Sequence, residues 1–137
     1  TAQTLSVDYQ HRPADMPDTG TGTHSWRIRR LRFLDSVPAV LEDIWLDAAR
    51  ASNLDVSMLP ESLYHFYQSQ LGFWISRTED SVGVGAVPDW APARFGLEPA
   101  SPCGVVDRIA WAQDATPVEY SRSWFNPAIA RYVARLI

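Results

Sequence analysis

Two arginines placed two residues apart are the clearest candidates for chemistry in this sequence. Arg30 and Arg32 stand in the segment SWRIRRLRFL, which reads as a β-strand, so their side chains point to the same side as Trp26 and Ile28. Two guanidinium groups in a cleft would bind an anion through charge-assisted hydrogen bonds. The pattern alone leaves open the alternative that they form a solvated arginine edge without a ligand.

Four further polar residues stand in segments that are otherwise apolar. Glu42 and Glu119 each lie in a predicted strand, where a carboxylate either balances an arginine or accepts hydrogen bonds from the hydroxyl or amino groups of a ligand. Ser62 and Tyr64 belong to the first turn of a predicted helix, where backbone N–H groups attract anions. Ser62 is equally suited to capping that helix.

The sequence offers no catalytic arrangement of residues. The three histidines, His11, His24 and His65, fall in an irregular segment, at the start of a strand and on a helix, without the spacing that metal binding needs. Cys103 is the only cysteine, which excludes an internal disulfide and a cysteine-rich metal site. The GVGAV segment at residues 83–87 lacks the spacing of a dinucleotide-binding loop. We therefore expect no enzyme activity, no metal and no cofactor.

The composition limits the classes of partner that the chain is expected to bind. The net charge is −4 and the pI is about 5.2, whereas a nucleic-acid-binding domain normally presents a basic face. No apolar run approaches the length of a membrane span, and no signal peptide precedes the first strand, so a reducing cytoplasm is expected. Six tryptophans, five tyrosines and five phenylalanines are many for 137 residues, and such side chains line ligand clefts as well as cores.

Alternation and turn residues predict the elements that would hold these side chains. Residues 1–23 read as an arm or loop, with one possible short strand at residues 4–9, and residues 24–137 as the folded domain. Strands are predicted at 25–34, 37–46, 73–87, 102–113 and 117–125, with a bend or bulge at the glycines of the third. Helices are predicted at 60–71, ended by Gly72, and at 88–95, ended by Gly96; the last residues, 127–137, read as a short helix running into a final strand.

The two predicted hairpins share a spacing. Asp35 and Asp114 are each followed by a proline three residues later and by a tryptophan seven residues after that proline, and each is preceded by an arginine at six residues, Arg29 and Arg108. The agreement favours two related hairpins packed about a pseudo-twofold axis, in an α+β domain built on an antiparallel sheet with flanking helices.

In this order, the segments RRLRFLDSVPAVLEDIWL, PESLYHFYQSQLG and DRIAWAQDATPVEYSRSWF resemble the UTRA domain (UbiC transcription regulator-associated). UTRA is the effector-binding half of HutC-type regulators in the GntR superfamily. The resemblance covers roughly residues 24–125 and implies a chorismate-lyase-like fold with a pocket for a small effector. It also implies that the family's N-terminal winged helix-turn-helix, through which such regulators bind DNA, is absent from this chain.

Carried over by position, the resemblance assigns roles to seven residues. It implies that the two strand arginines bind an anion, that Ser62 and Tyr64 are helix-terminal ligand contacts, and that the two glutamates hold hydroxyl or amino groups of the ligand. A family tyrosine falls at Phe125, and the loss of that hydroxyl weakens the case for a sugar phosphate in particular. The seven expected ligand-binding residues are therefore Arg30, Arg32, Glu42, Ser62, Tyr64, Glu119 and Phe125.

The implied function is a sensor domain of a bacterial transcription regulator. It would bind an anionic metabolite such as a sugar phosphate, an amino acid or an organic acid, form a homodimer, and alter DNA binding by the attached winged helix-turn-helix. Two alternatives stay open at this point. One is a cofactor-free lyase of the chorismate lyase type, and the other is a dimerisation module without a ligand.

Overall fold

A computed structural model describes residues 1–17, 19–20 and 22–136, and its centre is one six-stranded antiparallel sheet. The strands follow the order β1-β2-β3-β6-β5-β4 across the sheet. Their bounds are β1 Ala2–His11, β2 His24–Leu34, β3 Val37–Asp47, β4 Ile75–Ala86, β5 Pro102–Ala112 and β6 Pro117–Phe125. A short helix, α1 (Leu63–Phe66), continues as a π-helical turn (Tyr67–Leu71), and 3₁₀ turns occupy Ala48–Arg50, Val56–Met58 and Ala93–Phe95.

The strand order confirms two related halves about a pseudo-twofold axis. β1-β2-β3 and β4-β5-β6 have the same arrangement, and β3 and β6 meet at the centre. The paired stretch of β3 and β6 runs from Val40 opposite Phe125 to Leu46 opposite Glu119, and its central pair is Asp43 and Arg122. The axis therefore passes between Asp43 and Arg122, perpendicular to the sheet.

The two hairpins differ by one residue at their turns. Asp35 and Ser36 form a two-residue turn with φ values of 48° and 65°, whereas the second turn has three residues, 113–115, and only Ala115 has a positive φ, of 66°. The extra residue changes which residues of the two hairpins occupy equivalent positions in the sheet. Arg108 lies opposite Ser121 as Arg30 lies opposite Glu42, so Arg108 is the counterpart of Arg30 and not, as the six-residue spacing suggested, of Arg29.

The sheet is packed on both faces. Ile28 and Ile44 point to the face covered by α1, where Phe66, Tyr67 and Phe73 complete a buried cluster. Their strand neighbours of opposite parity, among them Leu31 and Leu41, point to the other face and pack with Phe95 and Trp124. Because each fully buried side chain of this size contributes about 1.5–3 kcal/mol, the two clusters hold the sheet as a rigid platform between α1 and the segment 87–101.

Several predicted elements are confirmed and others are wrong. The hairpin strands, the helix start near Ser62 and the left-handed stop at Gly72 (φ 75°) are as predicted. The possible short strand at residues 4–9 of the predicted arm is confirmed but longer: β1 has ten residues and pairs with β2 along its length. The division of the chain at residue 23 stays a prediction. The predicted helix at 88–95 shrinks to one 3₁₀ turn, because Pro92 disfavours helical geometry in the residue before it.

Two further predictions are wrong. Gly83 and Gly85 lie in regular register with β5, and the shift in that strand pair falls between Ile75 and Arg77. The described part of the chain after Asn126 forms neither helix nor strand: one turn follows, in which the Asn126 side chain accepts a hydrogen bond from the N–H of Ala128 at 3.0 Å, and then an irregular segment.

Candidate functional site

A cavity of about 550 Å³ lies on the face of the sheet that α1 covers. Its floor is built from alternate residues of β2, β3, β5 and β6, because successive strand residues point to opposite faces. Its walls are the start of α1 and the segment after Asn126. The lining includes all seven residues that the sequence singled out: Arg30, Arg32, Glu42, Ser62, Tyr64, Glu119 and Phe125.

The two arginines of β2 are held in different ways. Arg30 is 1% exposed, and its Nη2 donates to the carbonyl oxygens of Pro60 and Glu61, at 2.9 Å each, while its Nε has no partner among the described residues. Arg32 donates one long bond of 3.4 Å to the Glu61 carbonyl and lies 3.7 Å from a carboxylate oxygen of Glu42, with 40% of its side chain exposed. Both guanidinium groups therefore converge on the loop before α1, where Arg30 fixes the wall and Arg32 remains available to a ligand.

Two carboxyl groups lie in the floor. Glu119 is 3% exposed and accepts a hydrogen bond from the Tyr67 hydroxyl. Burial raises the pKa of Glu119 to about 7, and the negative charge of Glu42 acts in the same direction. Burial also raises the pKa of Glu42, against the opposing charges of the nearby arginines, and one oxygen of Glu42 is buried without a hydrogen bond in the described structure. The floor can therefore both accept and donate protons near neutral pH.

The start of α1 supplies hydroxyl groups. Ser62 is the N-cap of α1, and its Oγ accepts from the N–H of His65 at 3.2 Å. Burial raises the pKa of Tyr64, and the charge of Glu119 adds to the shift, so the phenol stays protonated and can donate. The capping role and the position on the cavity wall thus coincide in Ser62.

A third arginine, Arg108 of β5, lines the cavity on the other side of the pseudo-twofold axis from Arg30. Asp80 of β4 binds it through two bonds, 2.6 Å to Nε and 2.9 Å to Nη2, and these hydrogen bonds raise the pKa of Arg108. The same carboxylate accepts a 2.7 Å bond from the hydroxyl of Tyr132. Asp80 therefore fixes the guanidinium of Arg108 and ties the segment after Asn126 to the cavity.

Phe125 forms one end of the floor because a glycine makes room for it. Gly104 lies opposite Phe125 in the pairing of β5 with β6. A Cβ placed on Gly104 would come within 2.1–2.5 Å of three atoms of the phenyl ring. The ring lies directly over the glycine, and any larger residue there would displace it into the cavity or away from it.

The model of the UTRA domain family matches residues 6–130 of the chain. The chain belongs to the UTRA domain family. This UTRA domain is 43% identical over 136 residues to the HTH-type transcriptional regulator SmoD of Agrobacterium fabrum, covering 99% of this chain and 58% of SmoD. It is 25% identical over 103 residues to the mannosyl-D-glycerate transport/metabolism system repressor MngR of Escherichia coli, covering 74% of this chain and 42% of MngR. The chain thus spans about half the length of these relatives.

Solved structures share the fold of this UTRA domain. The ligand-binding domain of a GntR-family transcriptional regulator from Bordetella bronchiseptica superimposes with a TM-score of 0.88 at 22% identity, covering 100% of this chain and 90% of that one. The effector domain of PhnF from Mycobacterium smegmatis gives 0.80 at 22% identity, covering 99% and 86%. The α+β fold expected from the sequence is therefore confirmed, and the UTRA domain groups with domains of transcription regulators rather than with enzymes.

Sequence reasoning missed several cavity residues of the UTRA domain. From the sequence, Arg108 is only one of the residues that the two hairpins share. Its position in the cavity depends on the three-residue turn, whose length the shared spacing does not reveal. Ser121 and Ser123 share the face of Glu119 by strand alternation, so that signal was present in the sequence. Tyr132 reaches the cavity only through the irregular segment, for which the sequence gave the wrong structure.

The remaining candidates lie elsewhere. The rings of His11 and His24 are 3.9 Å apart between centroids, at the far end of β1 and β2, and His65 is on α1. Within residues 1–17, 19–20 and 22–136, no three His, Cys, Asp or Glu side chains are placed to hold a metal ion. Cys103 is buried. No helix in that same part of the chain is long and apolar enough to span a membrane.

Proposed function

We propose that this chain is the effector-binding domain of a bacterial GntR-superfamily regulator of the HutC type, which senses a small anionic metabolite. The cavity carries the proposal. It brings four arginines, three glutamates and several hydroxyl groups together with apolar side chains in one concave site, and small-molecule sites combine such placed polar groups with apolar walls. A dimerisation module without a ligand has no use for such a cavity. Nor do Arg30 and Arg32 point apart, since both donate to the carbonyl of Glu61.

The arrangement suggests how the metabolite would lie. Its anionic group would bind Arg32, whose planar guanidinium suits a carboxylate or phosphate, makes one long internal bond and is partly exposed. Its hydroxyl or amino groups would bind Glu42, Glu119 and the serines of the floor. Phe125 would pack against its carbon skeleton. A hydroxylated acid matches this pattern better than a purely apolar acid, because the floor would leave buried carboxyl groups unpaired against a hydrocarbon.

The name of MngR connects that relative with mannosyl-D-glycerate, a sugar linked to a hydroxy acid. Sugar phosphates, sugar acids, amino acids and other organic acids are therefore the first effectors to test. Among these, sugar acids suit the cavity better than sugar phosphates. A phosphate has a third oxygen that needs a hydrogen-bond donor, and Phe125 lacks the hydroxyl that a tyrosine would offer at this position.

Signal transfer would go through the attached DNA-binding domain. We propose that the full-length regulator is a cytoplasmic homodimer with an N-terminal winged helix-turn-helix, since dimers of such motifs bind paired half-sites on DNA. An effector that binds one arrangement of the dimer more tightly shifts the population toward it. Differential affinity of tenfold between the two arrangements corresponds to about 1.4 kcal/mol, which is within the usual range of allosteric coupling.

The first experiment is a thermal-shift screen of the chain against these acids, followed by titration calorimetry of any compound that binds. A ligand present at about a hundred times its Kd stabilises the folded state by about 2.7 kcal/mol, which shifts Tm by several degrees. A screen in which no acid shifts Tm would contradict the proposed anionic effector and would favour the dimerisation module.

Substitution of the two arginines sharpens this test. Arg32→Ala should weaken binding at least tenfold and leave the Tm of the free protein within about 2 °C, because its side chain makes only weak internal contacts. Arg30→Ala should also lower the stability of the free protein, by about 2–4 kcal/mol, since it removes two buried hydrogen bonds and leaves a void. Arg94→Ala, on the opposite face, is the control; equal effector affinity in Arg32→Ala and Arg94→Ala would remove Arg32 from the site.

A further inference from the structure

A second cleft, of about 410 Å³, lies on the face of the sheet opposite the effector cavity. Its floor is made by residues of β2, β3 and β6 whose parity is opposite to that of the cavity residues. One wall comes from the connection between β1 and β2, and the other from the connection between β4 and β5. The pseudo-twofold axis passes through the floor at Asp43 and Arg122 and relates these two connections to each other. The cleft is therefore centred on the axis, between equivalent elements of the two halves.

The two tryptophans that share a spacing in the hairpins both line this cleft. Trp45 lies two residues after Asp43 and Trp124 two residues after Arg122, so the axis relates them. A third tryptophan, Trp90, packs edge-on against Trp124 with 5.6 Å between the ring centroids. Small-molecule sites are lined mainly by apolar and aromatic side chains. The tryptophan spacing noted in the sequence, which the effector cavity does not use, therefore provides the apolar lining of a second concave site.

Three arginines line the cleft, and carboxylates of the protein hold two of them. Asp43 accepts two hydrogen bonds from Arg27, at 2.9 and 2.7 Å. Asp107 accepts two from Arg122, at 2.6 and 3.0 Å. A guanidinium paired in this way has already used one two-pronged edge on a carboxylate. A ligand anion would have to compete with these aspartates for either group.

Arg29, the third arginine, has no such partner. Its Nε lies 3.9 Å from an oxygen of Asp43, beyond hydrogen-bond distance, and that buried Nε has no hydrogen-bond partner among the described residues. The guanidinium stacks on the ring of Trp90, with 4.4 Å from its carbon to the ring centroid, and 25% of the side chain is exposed. The cleft thus contains one cation that is positioned by stacking and whose donors remain unused.

The surroundings of Arg29 favour a ligand with one negative charge over a ligand with two. Burial, and then the positive charge of Arg27, lower the pKa of Arg29, so an added anion would stabilise the charged guanidinium. The carboxylates of Asp43, Asp8 and Asp89 act on the pKa in the opposite direction, and they would repel a second negative charge. A carboxylate carries a single charge and forms a planar two-pronged pair with a guanidinium, whereas a phosphate monoester carries close to two charges at neutral pH.

We propose that this cleft is a second ligand site, which binds a small carboxylic acid with a planar apolar body. Arg29 binds the carboxylate, and the body of the ligand lies against the aromatic lining. The one buried carboxylate of the described cleft, Asp43, is already bound by Arg27, so ligand hydroxyl groups would find no free buried acceptor there. The effector cavity has the opposite preference, because Glu42 and Glu119 need hydroxyl or amino groups as partners. The two faces of the sheet therefore select different acids, and the second site stands independently of the proposed effector.

Benzoate is the probe for the cleft, because it joins one carboxylate to a planar ring without hydroxyl groups. The six tryptophans give six indole N–H signals in an NMR titration, which locate the ligand. We expect benzoate to shift the signals of Trp90 and Trp124 along a saturable curve with a Kd of about 10 mM or below, a modest affinity for so small a ligand. The signal of Trp74, which is 50% exposed outside the cleft, should stay in place. The absence of a saturable shift at Trp90 and Trp124 would overturn the proposal.

Substitution of the arginine tests its role. Arg29→Gln should weaken benzoate binding at least tenfold and keep the Tm of the free chain within about 2 °C, because Arg29 has only a stacking contact and a long ion pair to lose. The matched control is Arg77→Gln, which removes another arginine stacked on a tryptophan, 4.3 Å from the ring centroid of Trp111 and outside the cleft, and it should bind benzoate as the wild type does. Equal benzoate affinity in Arg29→Gln and the wild type would overturn the role of Arg29. Loss of binding in Arg32→Ala but not in Arg29→Gln would place benzoate in the effector cavity and overturn the second site.

Two further probes test the class of ligand. Gluconate has the same charge as benzoate but a hydroxylated, flexible body, and it should leave the signals of Trp90 and Trp124 in place. Phenyl phosphate has the same ring with nearly two charges at neutral pH, and it should bind several-fold more weakly than benzoate. Gluconate or phenyl phosphate that binds the cleft as tightly as benzoate would overturn the proposed class. Because the indole signals report this cleft, the result is separate from that of the effector screen.

Discussion

Glu119 should make the stability of the protein fall as the pH rises through neutrality. It lies in the cavity floor, surrounded by Tyr67 and Tyr64 of the α1 region, Glu42 of β3 and Arg108 of β5. Burial raises its pKa to about 7, from an ordinary value of 4.5. Between these two values the folded chain holds a proton that the unfolded chain releases, so the contribution of Glu119 to the free energy of unfolding is fully present below pH 4.5 and declines until about pH 7. The full difference corresponds to about 3 kcal/mol, or roughly 10 °C in Tm for a domain of this size.

The assay is thermal unfolding of wild type and Glu119→Gln between pH 5 and pH 8. The amide keeps the shape of the carboxyl group and an acceptor for the Tyr67 hydroxyl, but it does not ionise. We expect the wild type to lose most of the stated stability over this range and Glu119→Gln to lose much less, with a residual slope from Glu42, whose pKa is also raised by burial. Glu79→Gln, at an exposed position of β4, should follow the wild type. If wild type and Glu119→Gln showed the same dependence of Tm on pH, the reasoning about the buried carboxyl group would be refuted.

Two further changes test the walls of the cavity. Gly104→Ala should displace the ring of Phe125, weaken effector binding at least several-fold and cost about 1–3 kcal/mol of stability. Calorimetry measures the binding and thermal unfolding measures the stability. The control is Gly83→Ala, where an added Cβ meets no atom within 4 Å, and equal behaviour of the two variants would contradict the close packing at Gly104. Tyr132→Phe removes the hydrogen bond from the Tyr132 hydroxyl to Asp80. Amide hydrogen exchange after residue 126 should then accelerate, while exchange in the central strands stays unchanged. Unaltered exchange after residue 126 would show that this bond does not hold the segment.

The hairpins could be predicted because their residues carry two agreeing signals. In β2 and β3 apolar side chains fall on both faces, with charged residues only where a partner or the cavity receives them, and Asp35-Ser36 suits the tight turn between them. The gathering of the seven expected residues followed from strand parity and from the family resemblance together. Their ligand-binding roles stay a proposal, which the effector screen tests.

The end of the chain could not be predicted, and the reason is physical. Ile129, Tyr132, Val133 and Leu136 have the i, i+3, i+4, i+7 spacing that predicts an amphipathic helix. A helix of ten residues is marginal by itself and needs a surface against which to bury that stripe. In the structure all four residues are at least 39% exposed, so the stripe is not buried against the sheet. The spacing is typical of a helix, but the described chain does not bury these four side chains, so the predicted helix and final strand do not form.

The contact at the centre of the sheet shows what a single chain permits and a symmetric pair of chains does not. Asp43 faces Arg122 at the pseudo-twofold axis, and each is satisfied by a different partner, Asp43 by Arg27 of β2 and Arg122 by Asp107 of β5. Two identical halves joined by true symmetry would be obliged to place the same residue on both sides of that axis, acid against acid or base against base. Covalent linkage of the halves removes that obligation. It lets one position become an acid and its mate a base, and it lets the two sides of the cavity diverge in the same way, so that Glu42 has a serine as its counterpart. An asymmetric metabolite can thus be recognised on a scaffold whose backbone remains symmetric.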